Sequence, residues 1–410
     1  MYSNQELPHS AGPGLNEHRE RSIEEGAWLS WLPKLSKSLA WTERYVGQRI
    51  TGVVVGLSLL AMAAFYVTPA LNLVNNGLEF APIVLNPFLN DYNPFRHRIL
   101  SPLIAHYTSF LWGGNFLYFP LIVTVLFLGA IYSYFRRLGH SQVLSLVASS
   151  TMAFSGPVLF LIHFAGYTDV LTHLFLFYCI VLRRSKFLWV ISLSLAALNH
   201  EAALFSIPWV VFLRTRYYGT PLFSVDGVYR LLVDILLVCL SVVPMLLLRE
   251  FWPLKNAQLA PGVYVGMLSS TWKFIFPFAA FGIFEAFKLF WFLPLFALLT
   301  EERGKRLSTF VVFALMFAAG GAQLLFSHDI SRHVGHAFPI VLYSLELLLC
   351  KKILGNKLTE VLVILVFCNF FVPQYYVGQQ NAWLFLPVPV SYVFYMFGFD
   401  PWNLPFCPWN

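Results

Sequence analysis

Charged residues are scarce in this chain. Only 11% of its 410 residues are Asp, Glu, Lys or Arg, whereas 58% are hydrophobic. A soluble domain carries about 25% charged residues, which keep its surface hydrated. The deficit all but excludes a soluble enzyme, and the hydrophobic content excludes disorder, which requires low hydrophobicity and high net charge. The composition therefore predicts an all-α, polytopic membrane protein.

Cysteine is also scarce, with five residues in the whole chain. Four of them, Cys179, Cys239, Cys350 and Cys368, lie in or at the ends of apolar runs, and Cys407 lies near the C-terminus. The number is odd, and no CxxC or Cys/His metal spacing occurs, so a disulfide framework is not expected. We interpret the cysteines as small apolar residues.

Long apolar runs predict the membrane spans, because a bilayer core of about 30 Å requires about 20 helical residues. Such runs lie near residues 51–70, 115–135, 142–162, 167–182, 230–248, 284–300, 307–326, 337–350 and 357–373. The apolar stretch 187–213 differs, since Asn199, His200 and Glu201 interrupt it. It forms either one long helix or a hairpin of two short ones. A hairpin keeps both flanking cationic clusters inside, which the positive-inside rule favours. The prediction is then 11 crossings.

The arms of that hairpin are short. About 12 residues per arm span only about 18 Å, less than a full bilayer. The polar tip would therefore lie recessed within the membrane, where only protein or water can satisfy it.

The distribution of cations predicts the orientation. Of the 27 Lys and Arg residues, seven fall on the predicted outer side. These seven are Arg96, Arg98, Arg249, Lys255, Lys273, Lys288 and Arg332. The inner excess follows the positive-inside rule, so the net charge of +7 does not indicate a nucleic-acid partner.

This orientation divides the chain into three parts. Residues 1–48 form a cytoplasmic tail that ends in an amphipathic stretch. Residues 49–373 form the transmembrane domain, with outer loops 71–114 and 249–283. Residues 374–410 form an outer C-terminal tail. Since no organelle signal is seen, we expect a bacterial inner membrane.

Ionisable residues at membrane depth or in outer loops are candidates for a functional site. Asp91 lies in the first outer loop, and Arg96 and Arg98 follow it. Arginine binds phosphate through paired donors, and an aspartate serves as a base or contacts a divalent metal. The alternative is a solvated loop in which Asp91 pairs with Arg96. The apolar residues 99–112 predict an interfacial helix in the same loop.

Two further candidates lie between later spans. Asp169 is expected either to cap the following helix or to bind a metal with His163 and His173. His200 and Glu201, at the hairpin tip, require partners at membrane depth. They form either a structural polar cluster or part of a substrate pocket.

The last candidate is the segment Asp329 to Arg332, which precedes a predicted span. Arg332 at a helix entrance would combine its charge with backbone donors to bind phosphate. The alternative is a plain ion pair with Asp329. Inside the spans, Asp234 and Glu346 are expected to pair with cations of neighbouring helices.

These features resemble the GT-C superfamily of membrane glycosyltransferases. The points of resemblance are an inner N-terminus, a long first outer loop with Asp91, an outer Gly166-x-x-Asp169, the hairpin 199–208, and Asp329-x-x-Arg332 before a proline. The chain departs from the family in having a single acidic residue in the first loop and no soluble C-terminal domain.

The resemblance implies transfer of a sugar from a polyprenyl-phosphate donor to a glycan, lipid or protein acceptor outside the membrane. Asp91 would be the base or a contact to a divalent metal. Arg332, helped by Arg96 and Arg98, would hold the donor phosphate. The remaining residues would shape the pocket: Asp169, His200, Glu201 and Asp329.

Two other functions remain open. A transporter or lipid flippase would need broken helices and an inverted repeat, and no second copy of the hairpin is found in the sequence. An acyltransferase would use His200 as its base, but acyl-CoA arrives from the cytoplasm, opposite to the predicted position of His200.

Overall fold

A computed structural model of the chain describes residues 31–67, 73, 76–88, 93, 95–111, 113–217, 224–251, 278–325, 329–351, 357–378 and 381–398. These residues are predominantly helical. In chain order the helices are α1 (Leu32–Tyr66), α2 (Asn76–Leu85), α3 (Leu100–Tyr107), α4 (Tyr118–Arg137), α5 (Gln142–Ala153), α6 (Gly156–His163), α7 (Asp169–Val181), α8 (Lys186–Asn199), α9 (Ile207–Tyr217), α10 (Val225–Phe251), α11 (Phe278–Leu299), α12 (Arg303–Gly321), α13 (Ile330–Val334), α14 (Pro339–Cys350), α15 (Lys357–Phe371) and α16 (Val388–Met396).

Six helical segments among the described residues are long and apolar enough to cross a membrane. They are α1, α4, α10, α11, α12 with its 3-10 extension, and the segment Ile330–Cys350 that contains α13 and α14. The bent pair α5 and α6 makes a seventh if it is one span, whereas α7 and α8 are shorter apolar helices. The architecture is compatible with a helical membrane protein. The predicted number of 11 crossings is not confirmed.

The predicted span 142–162 is not one straight helix. It divides into α5 and α6, which meet at 56°. Ser155 between them is extended, and Pro157 lies in the first turn of α6. Proline lacks an N–H and is tolerated in a first turn but not in a helix interior, so it ends the preceding helix here.

The stretch 187–213 turns back on itself, as the cation pattern predicts. Arg214, near the end of α9, donates through Nη1 to the carbonyl of Arg183 at 2.5 Å. Its guanidinium also lies 5.1 Å from the ring centroid of Trp189, near the start of α8. The end of the second arm therefore lies beside the start of the first. At the tip, His200 is extended and a 3-10 turn follows at Glu201–Ser206.

Helix α1 contains a break close to the predicted boundary between tail and membrane domain. Gly47 has φ 81° and ψ 158°, which is not helical. The helical segment before it is held by Glu43, whose carboxylate accepts two hydrogen bonds of 2.8 Å from Arg136. Tyr132 donates to the same carboxylate at 2.7 Å. The predicted amphipathic stretch is thus helical where it is described, and it is anchored to α4.

Small residues bring α1 and α4 into close contact. A Cβ on Gly56 would lie 2.2 Å from the carbonyl oxygen of Val125, and one on Gly129 would lie 2.6 Å from that of Gly52. Membrane helices pack this closely where glycine removes the side chain.

The first outer loop and the C-terminal region contain elements that were not predicted. In the loop, interfacial helices were predicted; α3 and the 3-10 turn Ser109–Leu111 match the one placed at 99–112, and α2 is a second helix whose residues were not specified. In the predicted tail, β1 (Gln374–Gly378) and β2 (Asn381–Phe385) form an antiparallel hairpin, and α16 follows. This short hairpin is the one non-helical element of the described residues, which remain compatible with the predicted all-α membrane protein. Most of the second outer loop, residues 252–277, lies outside the described residues.

Buried ion pairs mark the two ends of the helical bundle. At one end, which we call the Glu346 end, Arg183 pairs with Glu346 at 2.5 Å and Arg214 pairs with Asp234 at 2.8 Å. The prediction that Asp234 and Glu346 pair with cations of neighbouring helices is confirmed. The other end contains Asp169, Glu201 and Arg332, and we call it the Glu201 end. The described cysteines are free.

Candidate functional site

The Glu201 end is organised around a buried pair between Asp169 and Arg332. Asp169 begins α7 and Arg332 lies in α13, and their exposed fractions are 2% and 8%. Arg332 donates through Nε to Oδ2 at 2.6 Å and through Nη2 to Oδ1 at 3.1 Å. The N-cap residue of α7 is Thr168, which makes no capping hydrogen bond through its side chain. Asp169 was expected to cap its helix, and Arg332 was expected to pair with Asp329 alone. The structure instead joins Asp169 and Arg332 in a bidentate contact.

Asp329 completes the coordination of the guanidinium. Arg332 donates through Nη1 to Asp329 at 3.3 Å, and the guanidinium carbon lies 4.5 Å from the ring centroid of Tyr167. Tyr376 of β1 donates its hydroxyl proton to Asp329. Burial and the neighbouring Asp329 carboxylate raise the pKa of Tyr376 well above its usual range, so the phenol remains a donor. The C-terminal hairpin is thereby tied to the site.

Glu201 and Arg98 form a second, more accessible pair. Arg98 donates through Nε to Oε2 at 3.0 Å and through Nη2 to Oε1 at 2.5 Å. Their side chains are 16% and 33% exposed. Arg249, at the end of α10, is 41% exposed and lies 3.9 Å from Glu201. Two cations and one carboxylate therefore meet at the accessible edge of the site.

His200 lies between the two pairs. Its Nε2 is 3.6 Å from Oδ1 of Asp169, and its Nδ1 is 3.9 Å from Oε2 of Glu201. The backbone N–H of Ala202 donates to Nδ1 at 3.0 Å. Since Nδ1 accepts this bond, we assign the proton of the neutral ring to Nε2, which faces Asp169.

Asn199 fixes the hairpin tip to the rest of the site. It is fully buried, and its side-chain amide donates to the carbonyl of Thr168 at 3.0 Å and to the hydroxyl of Thr172 at 2.8 Å. Ser101 of α3 donates to its side-chain oxygen at 2.5 Å. One amide thus connects the first outer loop, α7 and the hairpin, which holds the charged residues in register.

Several buried imidazole nitrogens at this end have no hydrogen-bond partner among the described residues. They are both ring nitrogens of His173, both of His336, and Nε2 of His200 and of His333. The exposed fractions of these four residues lie between 1% and 6%. Most buried polar atoms in proteins are hydrogen-bonded, so six unpaired nitrogens in one cluster require an explanation.

Two predicted site residues are not brought into this cluster by the described contacts. Asp91, with residues 89–92, lies outside the described residues. Arg96 is 1% exposed and donates through Nη1 to the carbonyl of Asn86 at 2.5 Å, which ties it to its own loop.

A metal site is not seen in the part of the chain that the structure describes. In those residues, no three His, Cys, Asp or Glu side chains are arranged to hold a metal ion. The metal grouping of His163, Asp169 and His173 therefore does not form. His163 instead packs against Phe385, with the ring centroids 4.0 Å apart and the ring planes tilted by 30°.

The sequence reasoning missed a second buried polar group, formed by Glu285 and Lys288 in α11. Both are 1% exposed, and Lys288 has a positive φ of 48° in a 3-10 turn. Lys288 donates to the hydroxyl of Tyr66 at 3.2 Å and to the carbonyl of Val372 at 2.9 Å. We expected Lys288 among the outer cations, but it is buried. The sequence signal was two opposite charges one helical turn apart in an apolar run.

Arg249 and the histidines His333 and His336 were also not predicted as site residues. No family model matches this chain, and comparison with curated proteins and with solved structures finds no similar one. The assignment of function therefore rests on the geometry of the chain itself.

Proposed function

We propose that the chain is an integral membrane glycosyltransferase of the GT-C type, with 11 crossings. It transfers a sugar from a polyprenyl-phosphate donor to an acceptor. The observation that carries this proposal is the convergence of Asp169, Glu201 and Arg332, from three distant segments, at one end of the bundle. This end faces the outside of a bacterial inner membrane, and the N-terminus is cytoplasmic.

The two arginine pairs have different roles in this proposal. The guanidinium of Arg332 is already bound by Asp169 and Asp329 and is 8% exposed, so it positions the site. Arg98 and Arg249 lie at the accessible edge, beside Glu201. A donor phosphate would add negative charge there, where Arg249 provides a cation beyond the Arg98–Glu201 pair. We therefore assign the phosphate contact to Arg98 and Arg249.

The transfer step is a displacement at the anomeric carbon. The acceptor oxygen forms a bond to that carbon while the bond from the carbon to the phosphate oxygen breaks, and the electron pair leaves with the phosphate. The acceptor proton must go to a base. The resemblance assigns this base to Asp91, whose loop also contributes Arg98 to the site.

The test uses purified variants in lipid nanodiscs and transfer from polyprenyl-phosphate sugars. Asp91→Asn should lower kcat by about 10²-fold or more, the usual contribution of a general base. Arg249→Ala should raise the donor KM and leave kcat within a few-fold. Arg184→Ala, at the opposite end, is the matched control. Wild-type turnover in both site variants would exclude this assignment.

A transporter or lipid flippase is the second candidate, because several apolar helices are interrupted. Helix α11 contains the 3-10 turn Lys288–Trp291, the turn Gly335–Ala337 separates α13 from α14, and α5 and α6 are bent. Broken helices are typical of transporters. Cysteine labelling of the Glu201 end from both sides of a membrane, with and without substrate, distinguishes the two functions, since only a transporter alternates its access.

The acyltransferase alternative is not favoured by the geometry. A catalytic base needs a free ring nitrogen toward its substrate. Nδ1 of His200 already accepts a backbone hydrogen bond from Ala202, and Nε2 faces Asp169.

A further inference from the structure

The Asp169–Arg332 cluster carries one more negative than positive charge. Asp169 and Asp329 both contact Arg332, and this guanidinium is the cation that both share. Beside it, the Arg98–Glu201 pair is balanced, and the further cation Arg249, 3.9 Å from Glu201, is 41% exposed and therefore hydrated. Uncompensated charge is costly in a buried, apolar environment, so a positive charge near Asp169 would stabilise the cluster.

His336 is placed to supply that charge. Its Nε2 lies 4.0 Å from Oδ1 of Asp169. With a proton on Nε2, the other nitrogen, Nδ1, presents a lone pair, and it has no hydrogen-bond partner. A carboxylate that faces one nitrogen of an imidazole orients the ring and stabilises the imidazolium.

His173 lies next to His336 on the inner side of the cluster. The two ring centroids are 4.7 Å apart, and neither nitrogen of His173 has a partner. Beyond His173 lie Phe127 and Phe338, with centroids at 6.3 and 5.0 Å. The row of polar groups therefore ends at a layer of phenylalanines.

A metal ion does not explain the histidines, because no three ligating side chains are suitably arranged among the described residues. Binding of a proton, in contrast, does not require three side chains to surround one point. Chains of buried acidic and histidine side chains in membrane proteins serve as proton relays.

We propose that His336 and His173 form a buried proton-binding site. It takes up one proton on a ring nitrogen of this pair, while Asp169, 4.0 Å from Nε2 of His336, supplies the counter-charge. The proton adds to Nδ1 of one ring, and no other bond forms or breaks. The charged and titratable groups that interact with the pair are Asp169, His200, Arg332 and His333. One contact further away, Tyr167 and Asp329 lie against Arg332, and Tyr376 donates to Asp329.

The site does not depend on the proposed transferase, since either candidate function can use a bound proton. Its test therefore measures protonation and not activity. Hydrogen–deuterium exchange at the C2 carbon of histidine passes through the imidazolium, so a ring that is never protonated does not exchange. Mass spectrometry of the full chain in nanodiscs gives a rate for each histidine.

We expect measurable exchange over days at His173 and His336. His106, whose Nδ1 contacts the carbonyl of Val84 in the first loop, is the internal reference. If C2 of His106 exchanges while C2 of His173 and C2 of His336 both retain their hydrogen, no proton reaches the ring nitrogens of the pair. The proposal would then be wrong.

Two variants test the roles of the partners. Asp169→Asn removes the counter-charge, and His173→Gln keeps a polar side chain that cannot carry the proton. Each should slow exchange at His336 by about tenfold or more, the effect of one pKa unit. His106→Gln is the control and should change nothing at His336. Unfolding would be recognised by fast exchange at every histidine. An unchanged rate at His336 in both folded variants would overturn the proposal.

Discussion

Breaking the Asp169–Arg332 pair should cost far more than breaking a surface pair of similar length. Both residues are almost completely removed from water, with exposed fractions of 2% and 8%. Removing one partner of a buried pair leaves an uncompensated charge and typically costs about 3–5 kcal/mol. Because Asp329 still pairs with Arg332 after this substitution, the loss is that of charged hydrogen bonds, and we expect Asp169→Asn to destabilise the fold by about 1–3 kcal/mol.

The matched control is the pair between Glu302 and Lys305. Its Oε2–Nζ distance is 2.8 Å, but its side chains are 68% and 63% exposed. Exposed pairs contribute about 0–1 kcal/mol, because water solvates both charges and the side chains lose freedom. Glu302→Gln should therefore leave stability almost unchanged, although the bond lengths of the two pairs are comparable.

A double-mutant cycle separates the pair from other effects of each substitution. Replacing both residues with apolar ones, as in Asp169→Leu with Arg332→Met, removes both buried charges at once. The double variant should be more stable than the sum of the two single variants predicts, by about 1 kcal/mol or more. Reversible unfolding in mixed detergent micelles, followed by tryptophan fluorescence, measures each value. The reasoning is refuted if Asp169→Asn costs no more than Glu302→Gln, or if the two substitutions are simply additive.

Three further predictions concern other regions. Gly56→Ala should lower thermal stability, since overpacking costs about 1–3 kcal/mol, whereas Gly304→Ala, with open space around it, should be neutral or slightly stabilising. The pKa of Tyr376 is raised in the folded state, so the neutral phenol stabilises the fold fully below about pH 10, and this contribution is lost as the pH rises further. Tyr376→Phe should therefore reduce the loss of stability at alkaline pH. Burial would raise the pKa of Glu301, but hydrogen bonds, chiefly from Lys351, outweigh it and lower the pKa; Glu301→Gln should therefore reduce the loss of stability below about pH 4.

The sequence was sufficient to identify most of the charged residues of the site, but not their partners. Asp169 and Arg332 stand out because ionisable groups are rare and costly in apolar runs. Their contact joins residues 163 positions apart, and no local pattern contains that information. Arg332 was therefore expected to bind phosphate, although its donors are directed at two carboxylates.

The fold was predicted best where a local physical rule applies. The reversal at His200 follows from the placement of cations on both sides of 187–213. The break before Gly156-Pro157 could also have been predicted from the sequence, because proline ends the preceding helix. The span 142–162 was instead predicted from the length of its apolar run alone. The hairpin β1–β2 was missed because its alternating aromatic residues were treated as a tail, and its position depends on contacts with Glu285 and Asp329.

The two ends of the bundle differ in how completely their charged and polar side chains are paired. At the Glu346 end, the carboxylate of Glu346 accepts from Arg183 and from Tyr134, and Arg214 is bound by Asp234. Such satisfied pairs are weak evidence for anything beyond specific packing. At the Glu201 end, two carboxylates share one guanidinium and six imidazole nitrogens lack partners. A fold that needed only stability would gain by replacing these histidines with apolar residues. We therefore propose the Glu201 end as the place where proton binding and activity should be measured.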